Sequence, residues 1–124
     1  MTELENKANA LRIDIVDMIA RAGSGHPGGS LSCADILAAL YLGGVLHHDA
    51  ANPEDDARDR FILSKGHAAP ALYAALAHAG YFPREELSTL RQLGSRLPVL
   101  KEIGGGAILC LMLPSILVFY GFFG

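Results

Sequence analysis

The stretch Gly23-Ser24-Gly25-His26-Pro27-Gly28-Gly29-Ser30 constrains this chain more than any other. Glycine lets the backbone reach positive φ and come close to a ligand. Proline fixes its own φ and pushes the residue before it, His26, out of the helical region. The pattern predicts a shaped, non-helical loop that presents His26 between two helical segments. Such a loop suits a ligand, and it equally suits a tight connection. The flanking residues have to decide.

On the N-terminal side, Leu4, Ala8, Leu11, Ile15, Met18 or Ile19, and Ala22 recur at spacings of three and four. That is one face of a 3.6-residue period and predicts a helix over residues 4–22. Ile13, Val16 and Ala20 widen the apolar stripe, which predicts a helix covered on much of its circumference. Asp17 and Arg21 make an i,i+4 pair on the remaining face, and Gly23 is placed to stop the helix. On the C-terminal side, Ser32 followed by Asp35 resembles a capping box ahead of Ile36, Leu37, Leu40 and Tyr41. The second helix then spans Cys33–Leu42, stopped by Gly43-Gly44.

Val45 to Arg58 reads as an irregular connection, turning at Asn52-Pro53. His47-His48-Asp49 places metal-ligating side chains side by side, but adjacent residues rarely converge on one ion and no third ligand is spaced for it. Arg60–Ser64 is an apolar run of strand length and predicts a buried strand. A helix then opens at Ala68-Ala69-Pro70, with Leu72, Tyr73 and Leu76 inward and Gly80 at its end. Pro83-Arg84-Glu85-Glu86 starts a last helix, with acids at its positive end and Leu87, Leu90 and Leu93 apolar, stopped by Gly94.

Every charged residue lies at or before Glu102, and Ile103–Gly124 has none. At about 1.5 Å per residue this tail is long enough to cross a bilayer core of roughly 30 Å. Arg91, Arg96 and Lys101 would flank it on the cytoplasmic side. Five glycines and Pro114 weaken it as a helix, and a non-native continuation of an interrupted reading frame explains the same composition. The chain therefore divides into residues 1–97 and an apolar tail, 98–124.

Thirteen acidic against ten basic residues give a net charge of -3, without the clustered basic face of a nucleic-acid binder. The 124 residues suffice for one small domain. Cys33 and Cys110 stand far apart with no metal-binding spacing, and Cys33 reads as a small core residue. The polar start, Met1–Asn9, is no secretory signal, so the body reads as cytoplasmic.

Two phosphate-loop spellings in the glycine stretch are decoys. Gly23-x-Gly25-x-x-Gly28 matches the dinucleotide fingerprint, but a helix rather than a strand precedes it and Pro27 lies inside it. The spacing from Gly23 to Gly28 also fits a P-loop, but Gly29 stands where the phosphate-reaching lysine belongs. A second constellation is Ser64-Lys65-Gly66-His67, where a strand end runs into a helix start. Free N–H groups make such a junction an anion site, with His67 as a donor. His67 as a plain helix cap fits the spacing as well.

The strings AGSGHPGGSLSCADILAALY, DRFILSKGHAAPALYAALAHAGYF and ELSTLRQLGSRL, in this order, resemble the N-terminus of a transketolase. The resemblance runs from about Leu4 to Leu97 and is nearest to the split type, whose N-terminal subunit is a separate chain. It implies an α/β class: the first part of a thiamine diphosphate-binding fold, mostly helical in this stretch, ahead of the apolar C-terminal tail. It also implies transfer of a two-carbon ketol unit from a ketose phosphate to an aldose phosphate, as in the pentose phosphate pathway, with thiamine diphosphate and Mg²⁺. His26, in SGHPG, matches the family histidine that contacts the sugar near the reacting centre. His67, in SKGH, matches the histidine beside thiamine diphosphate and substrate. Implied partners are sugar phosphates and a complementary subunit or second copy.

The chain also departs from the family. After GSRL the family continues with a GHP motif bearing a third histidine, and here Leu97 is followed by Pro98-Val99-Leu100. No Asp-Gly pair stands anywhere to represent the family's metal motif, so no metal ligand is assigned. The expectation is a truncated or frame-disrupted fragment, inactive and without cofactor when alone. Because one strand lacks sheet neighbours, the product is expected to be poorly soluble or partly disordered. The alternative is a non-catalytic helical module anchored to a membrane by residues 103–124.

Overall fold

A computed structural model describes residues 1–23, 25–53, 55–63, 66–89, 102–103, 107–113 and 116–119. Helix α1 spans Glu3–Ala22, α2 Pro27–Leu31, α3 Ala34–Leu42 and α4 Ala69–His78. Strand β1 is Phe61–Leu63, with β2 (Glu102–Ile103), β3 (Ala107–Leu113) and β4 (Ile116–Phe119) later in the chain. Two 3-10 segments, Gly66–Ala68 and Arg84–Thr89, bracket α4.

Helix α1 begins with a complete capping box. The Thr2 hydroxyl accepts from the Glu5 N–H at 3.1 Å, and the Thr2 N–H donates to the Glu5 carboxylate at 2.9 Å. Two of the helix's orphan donors are satisfied in this way. Its buried face is Ala8, Leu11, Ile15, Met18 and Ile19. The wider stripe does not hold: Ile13 is 69% exposed and Val16 49%, with Ala20 and Leu4 outside the core as well. Among the described residues α1 packs chiefly against α3 and α4, with the Arg84–Thr89 segment and α2 beside them, and these neighbours leave Ile13 and Val16 uncovered. The Asp17–Arg21 pair forms at 2.9 Å.

Helices α1, α3 and α4 pack on one another around Leu11, Ile15, Leu37, Leu72, Tyr73 and Leu76. Helix α4 is buried along nearly its whole length, because its alanines let the neighbouring helices approach closely. Each fully buried Leu here contributes about 2 kcal/mol of transfer free energy.

Several local expectations are corrected. Residues 27–31 of the glycine stretch form a turn of helix rather than an open loop, with Pro27 at the first helical position, where its missing N–H costs nothing. The Ser32–Asp35 capping box is absent. Cys33 occupies the N-cap of α3 without a side-chain capping bond, its thiol donating back to the Gly29 and Ser30 carbonyls, and the Ser32 hydroxyl donates to the Gly29 carbonyl at 3.0 Å, closing α2. Cys33 is half-buried against the core, and Ile36 is exposed. In β1 only Leu63 is buried, with Phe61 half-buried and Ile62 outward, so the strand alternates. Arg84–Thr89 winds as a 3-10 helix rather than an α-helix.

Strand β1 pairs in parallel with β3 (Phe61 opposite Ala107, Leu63 opposite Leu109), and β2 and β4 run antiparallel to β3. The tail thus supplies strands where a bilayer-spanning helix was one expectation, and no helix among the described residues is long and apolar enough to cross a membrane. The expectations for Leu90, Leu93, Gly94, the basic flank Arg91, Arg96 and Lys101, and the junction residues Ser64 and Lys65 lie outside the described residues.

Candidate functional site

His26 is the N-cap of α2, with extended backbone (φ −118°, ψ 119°) as the following proline requires, and its exposed ring makes no capping bond. Gly25 before it has φ +115° and Gly23 has φ +70°, conformations that side chains with a Cβ rarely adopt. These two glycines turn the chain from α1 and hold His26 outward. His67 is the middle residue of the 3-10 turn between β1 and α4, four residues beyond the end of β1, and it is also exposed.

The two histidines stand on touching elements. Helix α2 packs against the 3-10 turn Gly66–Ala68 and against α4. The short helix that follows His26 and the turn that carries His67, 41 residues apart in sequence (67 − 26), are therefore in contact. Neither ring makes a hydrogen bond or ion pair among the described residues, so both are free to meet a ligand. Ser30, in the same short helix, is fully buried, and its hydroxyl has no hydrogen-bond partner among the described residues. A buried orphan hydroxyl is unusual and marks ground where another polar group is missing.

Two further polar clusters escaped the sequence reading. In the first, Asp14 (13% exposed at its side chain) accepts from His78 Nε2 at 2.5 Å and from Arg84 Nη2 and Nε at 2.9 and 3.2 Å. Burial pushes the Asp14 carboxyl up, but the hydrogen bonds and charges of Arg84 and His78 outweigh it, and the group titrates below its ordinary value. The sequence signal was a lone acid inside an apolar helical stripe. In the second, His48 Nε2 lies 2.9 Å from the Tyr41 carbonyl and Nδ1 lies 2.7 Å from the Tyr81 hydroxyl. A carbonyl oxygen only accepts, so Nε2 carries the proton, and in the neutral ring Nδ1 accepts from Tyr81. His48 is thereby a structural pin and not a ligand of any ion. No group of three or more metal-binding side chains occurs among the described residues.

The comparisons with known proteins bear on this geometry. Residues 4–108 match the family model described as transketolase, thiamine diphosphate binding domain. The chain belongs to the transketolase family. That match passes Leu97 and takes in β2 and the first two residues of β3. Among curated relatives, the 6-deoxy-6-sulfo-D-fructose transketolase subunit SqwG of Clostridium sp. (strain MSTE9) is 50% identical over 96 residues, covering 77% of this chain and 34% of that protein. Human transketolase is 43% identical over 102 residues, covering 80% of this chain and 16% of its own length. The crystal structure of transketolase from Campylobacter jejuni superposes with a TM-score of 0.65 at 40% identity, over 77% of this chain and 15% of that one. The chain thus spans about a third of SqwG and about a sixth of the transketolases it matches.

Proposed function

We propose that this chain supplies the His26 and His67 face of a thiamine diphosphate site in a ketol-transferring enzyme. The observation that carries the proposal is the contact between α2, which His26 caps, and the Gly66–Ala68 turn, which carries His67. When bound, thiamine diphosphate supplies a nucleophilic carbon that takes up the two-carbon unit. The chain's own part is to bind and to move protons. His67, beyond the end of β1, donates to the cofactor or to substrate oxygen, and His26 donates to the sugar near the reacting carbon. Imidazole suits both tasks because it exchanges protons near neutral pH.

The residues present fit the histidine side of such a site, and the orphan Ser30 hydroxyl lies in the same short helix. The oxygen ligands that Mg²⁺ needs are not assembled among the described residues. We therefore propose that cofactor affinity requires polypeptide beyond these elements, from a complementary subunit or a second copy. The name of SqwG, a transketolase subunit, supports the former. The substrate class we propose is a ketose with an anionic terminal group. A sugar phosphate follows from the family, and the sulfonated fructose named for SqwG has the same sign of charge. We place the protein in the cytoplasm. The membrane-anchor alternative gains no support from the strands at 107–113 and 116–119, and a chain that stays in the pellet on carbonate extraction would revive it.

The test uses the five histidines as reporters. Ring resonances of the whole chain are followed while thiamine diphosphate is added to about millimolar levels, where weak sites register. His67 and His26 are expected to shift, with His47, His48 and His78 unmoved. Shifts centred on His47 or His78, or none at any histidine, would sink the proposal.

A further inference from the structure

We propose that the outward face of α1 is a seam on which two copies of this chain pair, with the two helices parallel. The core takes Ala8, Leu11, Ile15, Met18 and Ile19 of this helix. A second apolar stripe, Ile13, Val16 and Ala20, recurs at spacings of three and four and stays exposed. It lines an open groove together with Arg12 and Asp17. In a heptad, Ile13 and Ala20 stand at a and Val16 at d, which puts Arg12 at g and Asp17 at e, one on each edge of the stripe. An apolar seam with opposite charges on its two edges is the pattern by which helices choose a partner and an orientation.

The charges select a second copy as the occupant. In a parallel pair, each g position faces the e position of the partner's next heptad. Arg12 then meets the partner's Asp17, and two-fold symmetry repeats that ion pair on the other edge of the seam. An antiparallel pair would set Arg12 against Arg12 and Asp17 against Asp17, and like charges repel. Both side chains have bonding capacity to spare. Arg12 donates from Nε and Nη2 to Asn9 Oδ1 at 3.2 and 2.6 Å and from Nη1 to Asp35 at 2.8 Å, which leaves N–H groups of its fork over. Asp17 accepts from Arg21 through Oδ2, so Oδ1 is open to a second donor. These local bonds hold both side chains at the edges of the stripe beforehand, which lowers the entropy lost on pairing. The seam is short, because Gly23 ends α1 just beyond Ala20. It buries well under the roughly 800 Å² per partner of a standard interface, so the pair is weak and forms at high protein concentration.

Sedimentation equilibrium of the full chain, from about 10 μM to about 1 mM, tests this. The average mass is expected to rise from 13.1 kDa toward twice that value, and to rise less at high salt. Arg12→Asp and Asp17→Arg each set like charges across the seam and are expected to weaken the dimer at least tenfold. The double variant exchanges the two charges, and its dissociation constant is expected to return to within about threefold of wild type. An antiparallel pair would not respond in this way to the two single changes and their combination. Val16→Glu puts a charge into the stripe at an exposed position and is expected to abolish pairing with the helical signal of the monomer unchanged, so the proposal stays testable if a charge reversal fails to fold. A monomer at every concentration overturns the proposal and leaves this face to a complementary subunit. A dimer as strong in Val16→Glu as in wild type overturns it too, because the copies then pair elsewhere.

Discussion

Asp14 is where one residue's charge matters most. It lies in mid-helix, where an aspartate contributes little to helix formation, and its value comes entirely from His78 and Arg84, 64 and 70 residues away. Its carboxyl titrates lower in the folded chain than in the unfolded one, despite burial, because two basic side chains hold the ionised form. The stabilisation is therefore present above the unfolded value of about 3.9 and is lost as pH falls through the lower folded value. Asp14→Asn is expected to cost about 1–3 kcal/mol at neutral pH, the range for hydrogen bonds to charged groups. Thermal melts of both proteins across pH should converge on the acid side. A gap that stays constant from neutral pH down to about pH 2 would show that charge is not the cause.

The elements are joined by pins that their own periodicities do not announce. His48 sits in the irregular connection after α3, yet it bonds the last full turn of α3 at Tyr41 and stacks on Tyr81, just beyond α4. Tyr41 in turn meets Phe61 edge-on, with ring centroids 5.9 Å apart, and so fixes β1 against α3. The position of β1 decides where the turn carrying His67 begins, so this chain of rings reaches the candidate site. His48→Ala is expected to destabilise the protein by about 1–3 kcal/mol, because it leaves a buried acceptor and a phenol short of partners. Denaturant unfolding measures this, and an unchanged midpoint would mean that the connection is held elsewhere. Helices α1, α3 and α4 were legible because three- and four-residue spacings report a buried face directly. The short helix α2 was not, because glycine and proline signal a break wherever they cluster, and only the first-turn tolerance of Pro27 lets the helix form.

At the scale of the molecule, a three-helix core with a sheet paired through β1 leaves much apolar surface outside. Ile13 and Val16 on α1, Ile36 on α3 and Val45 after it are all exposed. The folded chain is expected to bind a hydrophobic dye such as ANS at neutral pH, and Ile13→Ser with Val16→Ser to remove a clear part of that signal without lowering the melting temperature. Dye fluorescence and a melt on the same samples check it, and equal signals from both proteins would overturn it. The sequence by itself determined the family, the helices α1, α3 and α4, and His26 and His67 as candidates, because those properties are written locally. A backbone angle before proline, a turn built on glycine and a face repeating every 3.6 residues each depend on neighbours a few positions away. Only the tertiary structure decided which apolar residues are covered, that the two histidine-bearing turns touch, and that Asp14, His78 and Arg84 form one cluster. Each of these depends on residues tens of positions apart, and their meeting is set by how α1, α3 and α4 pack, a property that no stretch of the chain carries alone.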